Sequence, residues 1–310
     1  MRAIGLHEHG TPEVLHTVDL PEPTPGEGEL RIRVQAAAVN PTDTILRTGQ
    51  RDTSGQSRPL VPGMDVAGVL EEIGAGTETD LRVGDAVMAI VVPRGTHGAY
   101  AEQVVLPAES VTAAPRGSGP VEASTLPMNG LTARLALDTL GLPPGSVLAV
   151  TGAAGAMGGY AVQLAAAEGL TVVADAAEKD RDLVSGLGAD VVLPRGEEFA
   201  DRVRKRFPDG VDGVVDGAML HDAVAPAVRE GGTVVTIRGY DEPGDRGVRF
   251  QPILVAHYAR ERQKLETLRQ QAEDGTVSLR VAEALPAEQA PEAHRRLEAG
   301  GVRGRLVLTF

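Results

Sequence analysis

The chain has 310 residues, enough for two domains of about 150 residues each. A hydrophobic fraction of 42% and a charged fraction of 24% are typical of a globular protein, while the net charge of −13 disfavours nucleic acid and anionic membranes as partners. The absence of cysteine excludes disulfides, thiolate nucleophiles and thiolate-bound zinc.

No segment approaches the roughly 20 consecutive apolar residues of a membrane span. The first residues lack the apolar core of a signal peptide, so we expect a cytoplasmic protein. The histidines are scattered along the chain, and the one close pair, His7 and His9, is expected to be solvated. We therefore expect no metal site.

The first part of the chain predicts short strands separated by Gly and Pro turns. The runs with strand character are 30–39, 66–73, 86–92 and 99–106. This spacing predicts a compact β-rich domain or a small barrel, which we place at 1–118.

The rhythm then changes to alternating strands and helices. Strands are predicted at 147–151, 170–174, 191–193, 214–215 and 233–237, and helices at 156–168, 179–187, 197–207 and 221–228. This α/β order predicts a Rossmann-type doubly wound parallel sheet over 119–249. The tail is mixed, with helices at 255–272 and 287–299 and strands at 281–285 and 305–310, and we expect 250–310 to complete the first domain.

A glycine-rich turn follows the strand at 147–151, with the spacing G-x-x-G-x-x-G at Gly152, Gly155 and Gly158. Gly152 permits a tight exit from the strand, Gly155 lets the backbone approach a pyrophosphate, and Gly158 lets the helix pack closely. Backbone N–H groups at the helix start, at Ala156 and Met157, suit an anion. The alternative is a close contact between helix and sheet without a cofactor.

The cofactor type is left open by the next strand. Asp175 lies 17 residues after Gly158, where an acid normally binds the adenosine ribose and favours NAD. Three basic residues are expected at the same edge of the sheet and could neutralise a 2′-phosphate: Lys179, Arg181 and Arg195. The alternative for Arg181 is a solvated surface charge.

Several segments in this order resemble the quinone oxidoreductase branch of the medium-chain dehydrogenase/reductase superfamily. They are AAAVNPTD at 36–43, PGMDVAGV at 62–69, GDAV at 84–87, GAYAE at 98–102, LPMNGLTA at 126–133, LGAD at 187–190, GG at 231–232 and GRLVL at 304–308. The resemblance implies a GroES-like catalytic domain, a Rossmann-type cofactor domain and substrate bound between them. It also implies homodimers formed through the cofactor domains, no zinc, and NADP(H) in preference to NAD(H).

Two positions depart from the pattern of these relatives. Many relatives have a tyrosine after the third strand of the cofactor domain, where this chain has Pro194 and Arg195. Arg195 takes over the contact with the 2′-phosphate, or the site has moved towards NADH. Relatives also often have a tyrosine where this chain has Ile45, so a phenol donor is missing there.

The implied reaction is hydride transfer from nicotinamide to a quinone or an α,β-unsaturated carbonyl, with fixed donors in place of a metal. By resemblance, Asn40 orients the substrate or nicotinamide and Thr132 faces the nicotinamide. Arg47 stabilises charge on the acceptor or is a surface arginine at a loop edge. Asp43 is expected to form a turn, and His97 to be a mobile loop residue rather than a proton donor.

Further residues are expected at the cofactor edge. Gly239 and Tyr240 follow the last parallel strand, and Asp216 ends another strand at that edge. Arg305 reaches the cofactor phosphates or is an ordinary charge at a strand edge.

Two other functions fit the sequence. The first is a 2-enoyl thioester or enone reductase on the same scaffold, although the polar loop 49–59 favours small or polar acceptors. The second is a non-catalytic protein that retains the cofactor site, an interpretation that Ile45 leaves open and that the segments around Asn40 and Thr132 disfavour.

Overall fold

The computed structural model describes residues 1–242 and 244–310. The strands are β1 (Arg2–Gly5), β2 (His16–Asp19), β3 (Glu29–Ala38), β4 (Asp65–Ile73), β5 (Ala86–Ile90), β6 (Gln103–Pro107), β7 (Val111–Ala113), β8 (Val147–Thr151), β9 (Thr171–Ala176), β10 (Val191–Pro194), β11 (Val211–Asp216), β12 (Val228–Thr236), β13 (Arg249–Pro252), β14 (Val281–Pro286) and β15 (Arg305–Thr309).

The α-helices, with short 3₁₀ turns between some of them, are α1 (Pro41–Thr48), α2 (Pro120–Ala123), α3 (Pro127–Leu140), α4 (Ala156–Ala167), α5 (Arg181–Gly186), α6 (Phe199–Arg206), α7 (Arg262–Glu273) and α8 (Ala290–Ala299). Within the described ranges, none of the helices has both the length and the apolar character needed to span a membrane.

The described chain forms two compact units. The first contains Met1–Met128, Tyr258–Asp274 and Leu279–Phe310. The second contains Asn129–His257, of which 243 is not described, and Gly275–Ser278. The sequence-based boundaries at 118 and 249 stay a prediction about where each function resides.

A seven-stranded sheet, in the order β14-β15-β3-β4-β5-β7 with β6 also paired to β3, is the centre of the first unit. The long strand β3 explains the change of pattern within 30–39. Its first half alternates buried and more exposed residues, whereas Ala36, Ala37 and Ala38 are all buried. This occurs because Ala37 joins the main core while Ala36 and Ala38 pack with Val307 on the other face.

A six-stranded sheet in the order β10-β9-β8-β11-β12-β13 is the centre of the second unit, and all its neighbouring strands are parallel. Valine-rich runs such as β8 and β9 are buried throughout their middles, as expected for a parallel sheet covered on both faces. The predicted fold class, a Rossmann-type sheet with a GroES-like β-rich domain, is confirmed.

Some local predictions were wrong. The segment after Asn40 is the helix α1 rather than a turn, because Pro41 occupies the first helical position, where proline is favoured. The strand predicted at 99–106 begins at Gln103. The helix predicted at 255–272 is a 3₁₀ turn, Val255–Tyr258, followed by α7, and the helix predicted at 221–228 is 3₁₀ with Pro226 inside it.

Candidate cofactor and acceptor sites

A tight turn joins the end of β8 to the start of α4 at the carboxyl edge of the parallel sheet. Gly152 has a φ of +69°, and a Cβ there would lie 3.0 Å from the carbonyl carbon of Gly217. A Cβ on Gly158 would lie 2.3 Å from the Gly152 carbonyl oxygen, so α4 packs directly on the turn. Gly152 therefore needs glycine because of its positive φ and the nearby backbone of the loop after β11, and Gly158 because of the backbone of the turn itself.

Gly155 is the N-cap of α4 and contributes no side-chain cap. The nearest atom to a Cβ on Gly155 would be the Gly152 carbonyl oxygen at 3.1 Å, so that position is less crowded than Gly158. Ala156 and Met157 follow, both partly exposed. Because the first N–H groups of a helix have no partner inside it, this helix start fits the pyrophosphate of a dinucleotide.

Asp175 lies in the neighbouring strand β9 and stabilises the glycine turn through its side chain. Its carboxylate accepts a hydrogen bond from the Ala153 N–H at 3.1 Å, and the N–H groups of Ala153 and Gly152 lower the pKa of this carboxyl. The residue is 5% exposed, and burial raises the pKa of its carboxyl. The ribose contact that the sequence assigns to Asp175 stays a prediction, since the carboxylate already has backbone partners in the turn.

The three basic residues near this edge differ in their contacts. Arg181 donates to the Val192 carbonyl at 3.4 Å and lies 3.6 Å from the Glu178 carboxylate. Lys179 and Arg195 are exposed. Arg195 is close enough to Asp175 for its charge to lower the pKa of that carboxyl, opposing the larger effect of burial. A cation therefore accompanies the acid at this edge.

Asp216 ties the end of β11 to the end of β8. Its Oδ1 accepts the Thr151 hydroxyl at 2.7 Å and the Leu220 N–H at 3.0 Å, while Oδ2 accepts the His221 N–H at 2.8 Å. The Thr151 Oγ1 in turn accepts the Ala218 N–H at 3.0 Å. The loop after β11 is thereby joined to the strand that leads into the glycine turn.

Gly239 and Tyr240 follow β12 at the same edge, as the sequence predicts. Gly239 has a φ of +78° and is exposed. The carbonyl of Tyr240 accepts the Thr236 hydroxyl at 2.7 Å, which fixes the backbone beside the ring. Among the predicted cofactor residues, the structure thus places the glycine turn, Asp175, Lys179, Arg195 and Gly239 along one edge of one sheet.

The acceptor residues predicted in the first unit lie around α1. Asp43 is buried, and its carboxylate accepts the Asn40 N–H at 2.8 Å, the Gly63 N–H at 3.0 Å and the Tyr100 hydroxyl at 3.0 Å. Burial nevertheless raises the pKa of Asp43 to about 6. Asp43 therefore joins α1 to the segment around Gly63 and to the core tyrosine, a larger role than the predicted turn.

Asn40 is buried, and its side-chain amide donates both of its hydrogens. One goes to the Ala38 carbonyl at 3.2 Å and the other to Asp65 Oδ2 at 2.7 Å. Asp65 is also buried and accepts the Met128 N–H at 2.6 Å, and burial raises its pKa to about 7. Both amide hydrogens of Asn40 are therefore used within the first unit, and its side chain also takes part in a capping box with Asp43 at the start of α1.

Arg47 is 1% exposed, so the alternative of a surface arginine at a loop edge is wrong. Its three guanidinium nitrogens donate to the carbonyl of Gly10, to Nδ1 of His294 at 3.3 Å and to the carboxylate of Glu298. Burial lowers the pKa of His294 to about 3, so the imidazole is a neutral acceptor towards Arg47. The guanidinium holds α1 against α8, and this geometry does not support direct charge stabilisation on an acceptor.

Arg305 is buried at the start of β15, which lies between β14 and β3. Its guanidinium is 3.4 Å from the Val39 carbonyl oxygen, and its charge lowers the pKa of both Asp43 and Asp65, less than burial raises it. The alternative of an ordinary charge at a strand edge is therefore wrong. The contact with cofactor phosphates stays a prediction.

The other predicted positions are found as follows. Thr132 is in α3 and is 8% exposed. The Nε2 of His97 lies 2.8 Å from the Val105 carbonyl oxygen, which ties the ring to β6. Ile45 is partly buried within α1. In the part of the chain that the structure describes, no three side chains of the types that bind metals cluster together.

The fold and the turn define a dinucleotide-binding protein with a GroES-like unit, and the comparisons with known proteins agree. Residues 26–116 match the Alcohol dehydrogenase GroES-like domain, and residues 187–308 match the Zinc-binding dehydrogenase family. The Chloroplast envelope quinone oxidoreductase homolog of Arabidopsis thaliana is 32% identical over 234 residues, 72% of this chain and 70% of the relative.

Two solved structures match over 100% of both chains. A mycobacterial protein complexed with NADPH is 30% identical with a TM-score of 0.88, and an NAD-dependent alcohol dehydrogenase is 29% identical with a TM-score of 0.87. The chain belongs to the medium-chain dehydrogenase/reductase superfamily, in its quinone oxidoreductase-like branch. The resemblance noted in the sequence is confirmed.

Sequence reasoning missed part of the site. Tyr100 and His294 are far from α1 along the chain, and nothing in their local sequence indicates that they meet Asp43 and Arg47. Asp65 stands in the segment PGMDVAGV, which marked the family without showing that this acid is buried against Asn40. The sequence does not indicate a role for His221, because its left-handed backbone conformation, with a φ of +52°, is visible only in the structure.

Proposed function

We propose that this protein is an NADPH-dependent oxidoreductase that reduces quinones or α,β-unsaturated carbonyls without a metal. The observation that carries the proposal is the turn from Gly152 to Gly158 at the carboxyl edge of a fully parallel sheet, where dinucleotides bind in such folds. The quinone oxidoreductase relative and the neighbour complexed with NADPH support it.

In this proposal the backbone of the turn binds the pyrophosphate, and side chains orient the adenosine and nicotinamide ends of the dinucleotide. The N–H groups of Ala156 and Met157, after Gly155, receive the phosphates at the positive end of α4. A bound nicotinamide supplies the hydride, and the acceptor gains one hydride and one proton overall. The protein's contribution is to bind, orient and exclude water.

We propose NADPH rather than NADH as the preferred cofactor. An acid opposes a 2′-phosphate, but the Asp175 carboxylate bonds to the backbone of the turn and is nearly inaccessible, so that its repulsion of the phosphate is reduced without being abolished. Burial raises the pKa of the Asp175 carboxyl, because it makes the charged form less favourable. Lys179 and Arg195 are exposed at the same edge and are proposed to bind the phosphate.

On the acceptor side we propose that Asn40 and Thr132 contact the substrate or nicotinamide. Because both amide hydrogens of Asn40 are donated within the unit, its proposed role is to position the ligand rather than to donate a hydrogen bond to it. We propose that Arg47 and Arg305 act indirectly. Arg47 positions α1 behind Asn40, and Arg305 offsets the charge of Asp43 and Asp65.

We also propose a homodimer. The strand β13 is an edge of the parallel sheet, and Leu254, just beyond it, is 58% exposed. An open edge next to an exposed leucine suits pairing with a second copy. Light scattering coupled to size exclusion should give twice the chain mass of 32.3 kDa, and a single chain mass at micromolar concentration would reject the dimer.

The test is a fluorescence titration with NADPH and with NADH, followed by absorbance-monitored oxidation with ortho- and para-quinones and enones. We expect tighter binding of NADPH and turnover that a chelator leaves unchanged. Arg195→Ala should weaken NADPH about tenfold and leave NADH unchanged, whereas the control Arg181→Ala should affect neither.

Each remaining outcome has a defined meaning. If neither nucleotide binds below about millimolar, the proposal is wrong, because a cofactor Kd weaker than that corresponds to only about 4 kcal/mol of binding free energy. Binding without turnover on any acceptor favours a non-catalytic cofactor-binding protein. Turnover of 2-enoyl thioesters in preference to quinones favours the enoyl reductase alternative.

A further inference from the structure

His221 follows the loop after β11 and has a backbone conformation that side chains rarely adopt. Its φ is +52°, and that of Met219, two residues earlier, is +59°. Such conformations cost free energy and persist where the surroundings enforce them. Here Asp216 enforces them, because its carboxylate accepts the N–H groups of both Leu220 and His221.

The imidazole of His221 lies flat on the ring of Tyr240. The ring centroids are 4.3 Å apart with an interplanar angle of 25°. Tyr240 is itself held in place, since its ring meets Phe250 edge to face with the ring centroids 5.0 Å apart. The neighbouring Asp222 carboxylate raises the pKa of Tyr240 to about 12. The plane of the imidazole is therefore determined by an ordered support.

The Nδ1 atom of His221 is enclosed and has no hydrogen-bond partner among the residues that the structure describes. Enclosed polar atoms in folded proteins are almost always bonded, and an exception requires an explanation. Stacking on Tyr240 accounts for the plane of the ring but leaves this nitrogen unused. A half-turn about the Cβ–Cγ bond would keep the plane and present Nδ1 at the other edge of the ring.

The place of His221 in the sheet indicates what this nitrogen meets. In the strand order β9-β8-β11-β12, Asp175 lies near the end of β9, on one side of β8. His221 comes after β11 and Tyr240 after β12, on the other side of β8. Doubly wound sheets bind one mononucleotide on each side of this central strand. The adenosine half belongs with Asp175, and the nicotinamide half with His221.

We propose that His221 is a cofactor-contacting residue, whose Nδ1 forms a hydrogen bond with the nicotinamide mononucleotide half of the dinucleotide, at a ribose hydroxyl. This inference rests on the proposed function and assigns to one residue the recognition of that half. Asp216, the last residue of β11, bonds to the end of β8 and to the His221 N–H, and it is the positioning residue that holds the histidine in place.

Two variants separate the nitrogen from the stack. His221→Phe keeps an aromatic ring on Tyr240 and removes the nitrogen. His221→Asn keeps a polar atom at the δ position and tolerates the left-handed backbone well. His16→Phe is the matched control, because it makes the same substitution at an exposed histidine of the first unit to which no cofactor contact is assigned.

The probes are NADPH and 2′,5′-ADP, which carries only the adenosine half, titrated against full-length protein by fluorescence or calorimetry. We expect His221→Phe to weaken NADPH about tenfold while 2′,5′-ADP binds as in the wild type. We expect His221→Asn and His16→Phe to stay within about threefold of the wild type for both probes.

The outcomes that contradict the inference are distinct. Wild-type affinity of His221→Phe for NADPH overturns it, and so does an equal loss for both probes, which indicates a structural role. If His221→Phe does not fold, His221→Leu takes its place under the same criteria, and a loss in His221→Asn as large as in that variant also overturns the inference. If the wild type binds neither probe, the proposed function fails first.

Discussion

The Asp175 carboxylate accepts a hydrogen bond from the Ala153 N–H at 3.1 Å. The acid that an NAD-binding pattern assigns to ribose is thus bonded to the glycine turn, on a residue that is 5% exposed. The turn that is proposed to receive the phosphates and the residue expected to choose between cofactors are therefore joined by a hydrogen bond. Substitutions at Asp175 should change both properties in different ways.

We expect Asp175→Asn to bind NADPH more tightly, by about threefold to tenfold, with NADH unchanged. The amide oxygen can still accept the Ala153 N–H, while the negative charge near the 2′-phosphate is removed. Asp175→Ala leaves the Ala153 N–H without its partner and should weaken the binding of both nucleotides. Parallel titrations with both nucleotides check this, and a stronger preference for NADH in Asp175→Asn would contradict it.

Gly158 and Gly155, two glycines of the turn, should respond differently to alanine. A Cβ on Gly158 would lie 2.3 Å from a backbone oxygen, so Gly158→Ala should destabilise the fold by several kcal/mol, roughly the cost of overpacking. At Gly155 the nearest atom would be at 3.1 Å, so Gly155→Ala should fold with a loss of about 1 kcal/mol or less and bind NADPH more weakly.

Urea unfolding and NADPH titration of each glycine variant separate the two effects. Gly155→Val adds a bulkier group where the pyrophosphate is expected and should weaken binding further. Unchanged affinity in folded Gly155→Val would show that the phosphates bind elsewhere.

Arg47 should be needed for stability rather than for cofactor affinity. Arg47→Met leaves His294 and Glu298 without their buried donor and should cost about 2 kcal/mol or more, with the Kd for NADPH unchanged. The control is Arg295→Met, which removes a half-exposed partner of Glu13 and Glu292 and should cost less than about 1 kcal/mol. Loss of turnover at unchanged stability would support direct catalysis by Arg47.

Two buried groups should change the pH dependence of stability in opposite directions. Burial raises the pKa of Asp65 to about 7 from its ordinary 3.8, so the folded chain holds a proton that the unfolded chain has released. Stability from this group is present below about pH 4 and is lost as the pH rises towards 7. Burial lowers the pKa of His294 to about 3 from its ordinary 6.5, so its contribution is lost as the pH falls from about 6.5 towards 3.

The measurement is Tm against pH between about pH 4 and 7. Relative to the wild type, Asp65→Asn should make the slope more positive and His294→Asn should make it less positive. Asp209→Asn, at an exposed position, is the control and should leave the slope unchanged. Slopes that change in the same direction in both variants would contradict this assignment.

Local patterns were enough to predict the framework of the cofactor unit. The strand at 147–151, the glycine turn and the helix beginning at Ala156 were all predicted correctly, because burial in a parallel sheet and a tight βα turn restrict the residue types allowed. The helix α1 was missed because it is only eight residues long and begins at an Asn-Pro pair, Asn40 and Pro41, that also suits a turn.

Side-chain partners could not be predicted in the same way. Arg47 meets His294 and Glu298 only because α8, about 250 positions later in the chain, packs beside α1. The sequence left Arg47 as either a catalytic cation or a surface residue, and the structure shows a buried one. Likewise, the two donated hydrogens of Asn40 depend on Asp65, which belongs to another strand.

By itself, the sequence determined the family, the glycine turn, the alternation of strands and helices from β8 to β11 and the absence of cysteine. These properties depend on residue type and on short spacings along the chain. Only the tertiary structure decided that Asp175 bonds to the turn, that Arg47 is buried and that His221 lies on Tyr240 with an unused nitrogen. Each of these depends on the meeting of distant segments, because burial and the supply of hydrogen-bond partners are set by packing in three dimensions.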